Sequence, residues 1–548
     1  MSAHSREALL ATENLYPPGQ TPERYSPDSN HFIVIGGSVS GAQAAWEFAQ
    51  SGAHVTVLEK NPDPYGLVKR DLPPDLISTK QKENSTIVKQ LSHPNIRFFA
   101  NFEVGRDITF EELKSLGATD VIWAIGGRKD RTTGILSDDF VRAKYFERGS
   151  LDDFRGRGLY FQNDFLEDVN LYAKQMSEGA EQRWLDFPIN LTVDTIVQGG
   201  GRGSMDVIRY VQFVRLAQKL EEKGIVARAD LIDIARYGIN ATLKKYKLTL
   251  KELELGEATL LYRGGFWEMP LYEYDEFLSE ADKKTVEEVV RRVKLSRQEI
   301  GQQPDKSIYP SIEDLIEEEK KLTLEDFPDL TAVSKTKEVL EIVFATQRRR
   351  LQFLTAAMKR SGFRARFFTS PDRFHASKGM IDGYRVTKTY YDDKGKLQSY
   401  RQSEEMINTQ TLIFATGSTP EPVEGLPMEG SYPKFRDEEA ERTSGELYNH
   451  RNMHATGMGK TGKGDIRVSR EDGITVAHSI IAELRSPNGS LGNMGTRLIG
   501  PVAARKIRDL EKLLMSRTRT GEYGYNGVIK NWIEALPPEI MEVNNNNH

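Results

Sequence analysis

The chain of 548 residues contains no cysteine. That single absence removes a redox-active dithiol, a cysteine sulfenate and any iron–sulfur cluster held by the chain's own thiolates, because each of these requires a thiol. Long apolar runs are also missing: none approaches the roughly 18 residues of a membrane-spanning helix. Neither sign of charge dominates. The 75 Lys and Arg stand against 80 Asp and Glu, a net charge of -5, and this mild acidity argues against nucleic acid as a general partner. The opening MSAHSREALLATENLYPPGQ lacks the basic start and apolar core of a secretory signal and the Arg-rich amphipathic pattern of an organellar presequence, so a cytoplasmic location is the expectation. What is present is ordinary, 38% hydrophobic and 28% charged residues, in a length that provides about three to four domains' worth of chain.

Against that background one stretch is highly ordered. Phe32 to Pro64 reads as an apolar strand, a glycine turn (Gly36, Gly37, Ser38, Val39, Ser40, Gly41), a helix, and a second strand from His54 to Leu58 closed by Glu59. A βαβ unit of about 30 residues with an acid roughly 20 positions beyond the glycines is the order that a dinucleotide fingerprint requires. The glycines permit the tight turn and let backbone approach a pyrophosphate, the helix N-terminus favours its charge, and Glu59 is placed to accept from a ribose hydroxyl. An acid there suits an unphosphorylated ribose, as in FAD or NAD. The bland alternative is a strand-turn-helix with an exposed Glu. Ser38 stands where the middle glycine of the fingerprint belongs, and its side chain either crowds the phosphate or donates to it.

A second fingerprint begins at Asp194, DTIVQGGGRGSMDVIRYV, with Gly199, Gly201 and Ser204 in the three fingerprint positions and Arg202 among them. Thr259 to Gly265 reads as its second strand. Here a base replaces the acid, and Arg263 is suited to pair with a ribose 2'-phosphate. A Rossmann-like unit without nucleotide remains the alternative. Elsewhere, residues 1–30 are a polar, Pro-bearing arm. Residues 270–345 read as amphipathic helices, with Val286, Val289, Val290 and Val293 spaced on one face and Glu317 to Lys321 as a solvated charge run. Arg348, Arg349, Arg350, Lys359 and Arg360 make one helical stretch strongly basic, either a docking patch or a solvated face. Tyr384 to Tyr391 and Leu397 to Arg401 alternate around Asp392-Asp393-Lys394-Gly395 as a hairpin. Thr411 to Ser418 is a buried strand ending in small residues.

Several of these segments together resemble a known family. Glu59-Lys60, Pro64 to Lys69, Pro74-Asp75, Lys80, Asn101 to Asp107, Asp120 to Gly127, Gly425-Leu426-Pro427 and Asn452 to Val468 are similar, in order and spacing, to the adrenodoxin reductases. Those are FAD-containing, NADPH-dependent ferredoxin reductases. The resemblance implies an α/β protein with two Rossmann-like dinucleotide-binding domains, the second inserted into the first. An FAD domain would comprise 31–127 and 408–535, an NAD(P) domain 128–407 with a helical insertion at about 270–345, and 536–548 a polar tail. It implies that Gly36, Gly37, Ser38, Gly41, Glu59, Leu67, Gly126, Gly417, Gly457 and Asp465 hold FAD. Gly199, Gly201, Arg202, Ser204 and Arg263 would hold NADPH, with NADH as the other candidate. Met458, Asp465 and Ile466 would face the flavin, and the five cations of the basic helix an acidic ferredoxin-like protein. No metal is implied.

The departures from that family fall where cofactor and chemistry belong. Met458 replaces a Trp, Lys463-Gly464-Asp465-Ile466 replaces Pro-Thr-Gly and an apolar pair, Arg202 replaces Asn, Gly264 replaces the second of two arginines, and Leu76 replaces a His. Three functions therefore compete. The first is electron transfer from NAD(P)H through FAD to a ferredoxin-like carrier. The second is a flavin-dependent oxidase or hydroxylase acting on a small molecule, and the third a nucleotide-binding fold without turnover.

Overall fold

The computed structural model describes residues 30–115, 118–131, 156–272, 283–296, 323–331, 334–377 and 380–485, with isolated positions at 313, 316–317 and 529. The N-terminal arm, most of the Glu317 to Lys321 run and the polar tail lie outside the described residues. The chain divides into two compact units. One takes its described residues from 1–72, 76–129 and 418–548, the other from 73–75 and 130–417.

The first unit is built on β1 (His31–Ile35), α1 (Val39–Gln50) and β2 (His54–Leu58). Every residue of both strands is buried, the pattern of a parallel sheet covered on both faces. Six strands run in the order Glu446–Leu447, His450–Ala455, Asp120–Trp123, β1, β2, Ile96–Phe99. All neighbours are parallel except the edge pair Glu446–Leu447 with His450–Ala455. Ala42, Ala44, Ala45 and Ala49 give α1 a slim buried face, and Phe48 stacks on Phe32 at 3.9 Å between ring centroids. The helix Ile466–Arg485 crosses α1 at Gly473, where a Cβ would stand 2.7 Å from the Ser40 carbonyl oxygen.

The second unit has five parallel strands in the order Leu159–Phe161, Leu412–Phe414, Ile196–Gln198, Thr259–Leu261, Arg364–Arg366. Phe374, Ile381, Tyr384 and Val386, from an antiparallel sheet of Thr369–Ser377, Met380–Tyr391 and Leu397–Asn408, share one apolar cluster with Leu159, Phe161, Leu412 and Phe414. A second, larger cluster gathers the helices Gln162–Ser177 and Arg202–Glu222. The expected hairpin is present, with Tyr391 opposite Leu397 and the Asp392 carboxylate accepting from Lys394 N and Lys396 N, both at 2.9 Å. Within the stretch read as amphipathic, Val286, Val289 and Val293 of the helix Lys283–Ser296 pack against Val339, Leu340, Val343 and Phe344 of the long helix Ser334–Ser361.

One boundary is corrected. The strand Leu412–Phe414 pairs on both sides inside the second unit's sheet, with Leu159–Phe161 and Ile196–Gln198. The chain accordingly returns to the first unit at Gly417/Ser418 rather than near residue 408. Three fully buried residues between two strands leave that segment nowhere else to pair.

At the start of β1 His31 is sealed off, its Nε2 2.9 Å from Thr56 Oγ1. Burial, aided by the neighbouring His54, lowers its pKa from 6.5 to about 3. Because the folded value is depressed, the stability that this neutral imidazole provides is complete above pH 6.5 and is lost as pH falls toward 3. At pH 5 the loss amounts to about 2 kcal/mol relative to neutrality. Urea unfolding at pH 7.5 and pH 5 is expected to show a smaller drop for His31→Asn than for the parent. An equal drop in both would place the acid sensitivity elsewhere.

Candidate functional site

At the end of β1 the chain turns through Gly36 at φ +100°, where a Cβ would overlap the carbonyl oxygen of Ala124. A Cβ at Gly41 would overlap the carbonyl oxygen of Gly36 itself, so the first turn of α1 closes directly over the strand end. Glu59, one residue past β2, is 4% exposed. Its Oε2 accepts from Gly37 N at 2.8 Å and its Oε1 from Asn61 N at 2.9 Å and Asn61 Nδ2 at 2.6 Å. Burial pushes the Glu59 pKa up, and the hydrogen bonds from Gly37 and Asn61 oppose that shift. Two oxygens offer about four acceptor sites, so three bonds leave capacity for a hydroxyl. The Ser38 hydroxyl caps no amide of α1 and donates to Tyr65 O at 3.2 Å, a local bond that neither sequence reading of that side chain contains. Leu67 lies half-buried on the short helix Gly66–Arg70.

In the same unit the segment 456–466 forms a second wall. Gly457 takes φ +71° against Ser40. The half-buried Met458 lies over Gly127, whose absent Cβ would stand 2.7 Å from Met458 Cε and 2.9 Å from its Sδ, and also beside Gly464. Gly126, at φ +66°, has no atom within 4 Å of where its Cβ would be. Asp465 is a helix cap: its Oδ1 accepts from Arg467 N at 2.8 Å and Val468 N at 3.2 Å. Ile466, half-buried, opens that helix and packs on the core.

Asp472 and Lys460 escaped the sequence reading. The Asp472 Oδ2 accepts from Gly457 N at 2.7 Å and Thr456 Oγ1 at 2.9 Å, while its Oδ1 pairs with Lys460 Nζ at 2.7 Å, the lysine side chain being buried and the carboxylate partly so. One carboxylate thus fastens the whole turn that carries Met458. The signal was Asp472-Gly473 inside a helix, a pair that neither intrinsic propensity nor an exposed face calls for.

In the second unit the turn after Ile196–Gln198 repeats the same geometry. A Cβ at Gly199 would overlap Ala415 O, and one at Gly200 the ring of Tyr262. Gly201 is the N-cap of the helix Arg202–Glu222, and the buried Ser204 Oγ donates to Gly201 O at 2.7 Å. Arg202 is engaged locally, its Nε donating to Leu271 O at 2.9 Å and its guanidinium lying 5.5 Å from the Tyr272 ring centroid. Arg263, two residues beyond the strand Thr259–Leu261, is exposed. At Gly264 a Cβ would overlap Glu268 Oε2, the end of a flexible side chain that would have to move to admit one. Gly417, assigned from sequence to the FAD set, belongs to this second unit, with φ +95° and open space where a Cβ would project.

The basic helix offers less than its sequence promised. Arg348, Arg349 and Lys359 are exposed. Arg350 is 4% exposed and turns inward, donating to Tyr272 O at 3.0 Å and to Trp267 O. Arg360 caps a neighbouring helix end, donating to Ala235 O at 3.2 Å and to Arg236 O. Arg350 is corrected from a docking residue to a structural one, whereas Arg360 is exposed while making these local bonds. Among the described residues no group of three or more His, Cys, Asp or Glu could hold a metal, and no helix is long and apolar enough to cross a membrane.

Comparison with known proteins agrees with the fold. Residues 34–76 match the family model of the NAD(P)-binding Rossmann-like domain. The chain is 24% identical over 432 residues to the NADPH:adrenodoxin oxidoreductase, mitochondrial, of Arabidopsis thaliana, a match spanning 76% of this chain and 74% of that protein. Similarity to a probable ferredoxin/ferredoxin--NADP reductase of Mycobacterium leprae is higher, 37%, but local: 103 residues, 19% of this chain and 18% of that one. Among solved structures, Mycobacterium tuberculosis FprA in complex with NADPH superposes with a TM-score of 0.55 at 19% identity, covering 89% of this chain and 90% of that chain. The resemblance read from the motifs is thus matched by named relatives, and the low identity fits a divergent one.

The Asp472 clamp can be tested directly. Asp472→Asn leaves the buried Lys460 ammonium without its counter-charge, at a cost of about 3 to 5 kcal/mol in unfolding free energy. Adding Lys460→Met is expected to recover much of that loss in urea titrations, since removal of a whole buried pair is nearly neutral. Losses that simply add would show that the two side chains do not act as a pair.

Proposed function

We propose that the chain is an FAD-dependent oxidoreductase that accepts hydride from NADPH and passes electrons to a ferredoxin-like carrier. The observation that carries the reading is the buried Glu59 carboxylate fastened at 2.8 Å to the amide of the glycine turn. It sets a ribose acceptor beside a pyrophosphate cradle in the unit to which the FAD is assigned. The residues fit the group: Gly36 and Gly41 leave the backbone bare where a Cβ would collide, and Glu59 keeps acceptor capacity. Gly37 and Ser38 complete that turn, and Leu67 is assigned to the same FAD set. Gly126, Gly457, Met458 and Ile466 are assigned to the flavin end, with Asp465 ordering the helix start and Asp472 the turn before it. When bound, FAD supplies a two-electron acceptor able to release electrons singly.

In the second unit, inserted in sequence into the first, we assign Gly199, Gly201, Arg202, Ser204 and Arg263 to the dinucleotide. Arg263 gives a charge-assisted bond to the 2'-phosphate. No side chain is required as acid or base for hydride transfer, so the chain's residues bind and orient. Gly417 is left out of the FAD set because it stands in the second unit. Arg348, Arg349 and Lys359 form the reduced docking patch. Relatives named as ferredoxin and adrenodoxin reductases support a ferredoxin-like partner. The inward turn of Arg350 favours a second reading, a flavin-dependent oxidase or hydroxylase of a small molecule, because it thins the patch that a protein partner needs.

Heat or acid denaturation of the purified protein is expected to release about one FAD per chain, as the cradle admits one dinucleotide. A colourless protein that also takes up no added FAD overturns the proposal in favour of a fold without turnover.

For the partner, charge reversal at Arg349 and Lys359 is expected to slow reduction of an acidic ferredoxin by about tenfold at low salt and by less at 0.5 M salt. Stopped-flow reduction of the flavin by NADPH should be unchanged by the same variant. A carrier rate indifferent to salt and to reversal would favour the small-molecule reading.

A further inference from the structure

The second strand of each Rossmann-like unit ends differently. In the first unit Gly36 N donates to Leu58 O at 2.7 Å and the next residue is Glu59, whose carboxylate fastens the glycine turn. In the second unit Gly199 N donates to Leu261 O at 3.1 Å, and the next residue is Tyr262, whose ring lies over Gly200. The place of the acid is thus taken by an aromatic ring. A carboxylate nevertheless arrives at this strand end from farther along the chain. Glu268 closes the turn Phe266–Glu268, and its Oε2 occupies the space that a side chain at Gly264 would need.

That carboxylate is firmly held. Its Oε1 pairs with Lys294 Nζ at 2.7 Å, its Oε2 accepts from the Tyr391 hydroxyl, and that hydroxyl accepts from Trp267 Nε1 at 3.0 Å. The Tyr262 hydroxyl fixes the backbone by donating to Glu268 O at 2.9 Å. The Glu268 side chain is still 18% exposed and Lys294 24% exposed, so both are reachable from solvent. Lys294 comes from the helix Lys283–Ser296, whose valines seat it on the long helix.

We propose that Glu268, partly neutralised by Lys294, sets the choice between NADPH and NADH. At this end of a dinucleotide-binding sheet a carboxylate favours a 2'-hydroxyl and a guanidinium favours a 2'-phosphate. Arg263 and Glu268 offer both, and Lys294 decides how much of the carboxylate's charge the phosphate meets. The chain therefore discriminates between the coenzymes less than two adjacent arginines would, and accepts both. This rests on the reading that the second unit binds the nicotinamide coenzyme.

The test is binding to the full-length protein, read by calorimetry with adenosine 2',5'-bisphosphate and 5'-AMP as probes. The quantity is the ratio of the two affinities. Glu268→Gln, which keeps an acceptor for Tyr391, is expected to raise the preference for the bisphosphate by about tenfold, and Lys294→Gln to lower it by about tenfold. The double variant should match Glu268→Gln alone, because the lysine acts through the glutamate; a return to the parent ratio, the sum of two independent effects, overturns that route. A ratio unchanged within about twofold in Glu268→Gln overturns the proposal. So does a double variant as poor as Lys294→Gln alone, which would make Lys294 a direct phosphate ligand. If Glu268→Gln does not fold, a ratio that fails to fall in Lys294→Gln is enough to overturn it. Arg263→Ala is the control: a parent that binds neither probe, or a control that weakens both alike, refutes the coenzyme site itself rather than the role of Glu268 within it.

Discussion

Both units depend on one steric requirement: a bare backbone where a glycine turn passes the end of the neighbouring parallel strand. Gly36 abuts the carbonyl of Ala124, and Gly199 abuts the carbonyl of Ala415. The register is equivalent in the two units. Ala124 N donates to Ile35 O at 2.8 Å and Ala415 N to Gln198 O at 2.8 Å, so each alanine extends the strand beside the one that launches the turn. Any Cβ on these glycines would push the turn away from the sheet and with it the following helix's N-terminus. The anion-binding geometry of a helix start is available only while that approach is kept.

This requirement explains why two separate segments, Asp120 to Gly127 and Thr411 to Ser418, read alike as buried strands running into small residues. They do the same job in different units. It also explains the misplaced boundary. Leu412–Phe414 was read as the chain's return to the first unit, but a strand whose following alanine must meet Gly199 has to lie in the sheet of Gly199.

What was legible in the sequence was local. β1, the turn, α1 and β2 follow from apolar runs and glycines within 33 residues, and the hairpin around Asp392 from alternation and a turn signal. What was missed depends on how the chain folds back on itself: Asp472 closes on Thr456, Gly457 and Lys460 of the preceding turn, and Glu268 reaches Gly264 while held by Lys294 and Tyr391. Arg350 is an intermediate case. Val343, Gln347, Arg350, Leu354 and Ala357 recur at steps of three and four and are all buried, so the stripe placing Arg350 inside was there to be read. The cluster of three arginines concealed it, because a run of like charges suggests a solvated face.

The departures around Met458 now have a physical ordering. Asp472 fixes the turn at Thr456, Gly457 and Lys460, and Asp465 fixes the amides that open the next helix, so the backbone on either side of Met458 is held by charge-assisted bonds. The softness introduced by a thioether is then confined to one side chain lying against Gly127 and Gly464. A substitution at Met458 therefore changes what lines this wall without moving the backbone that carries it, whereas one at Asp472 releases the turn and leaves the Lys460 ammonium without its counter-charge.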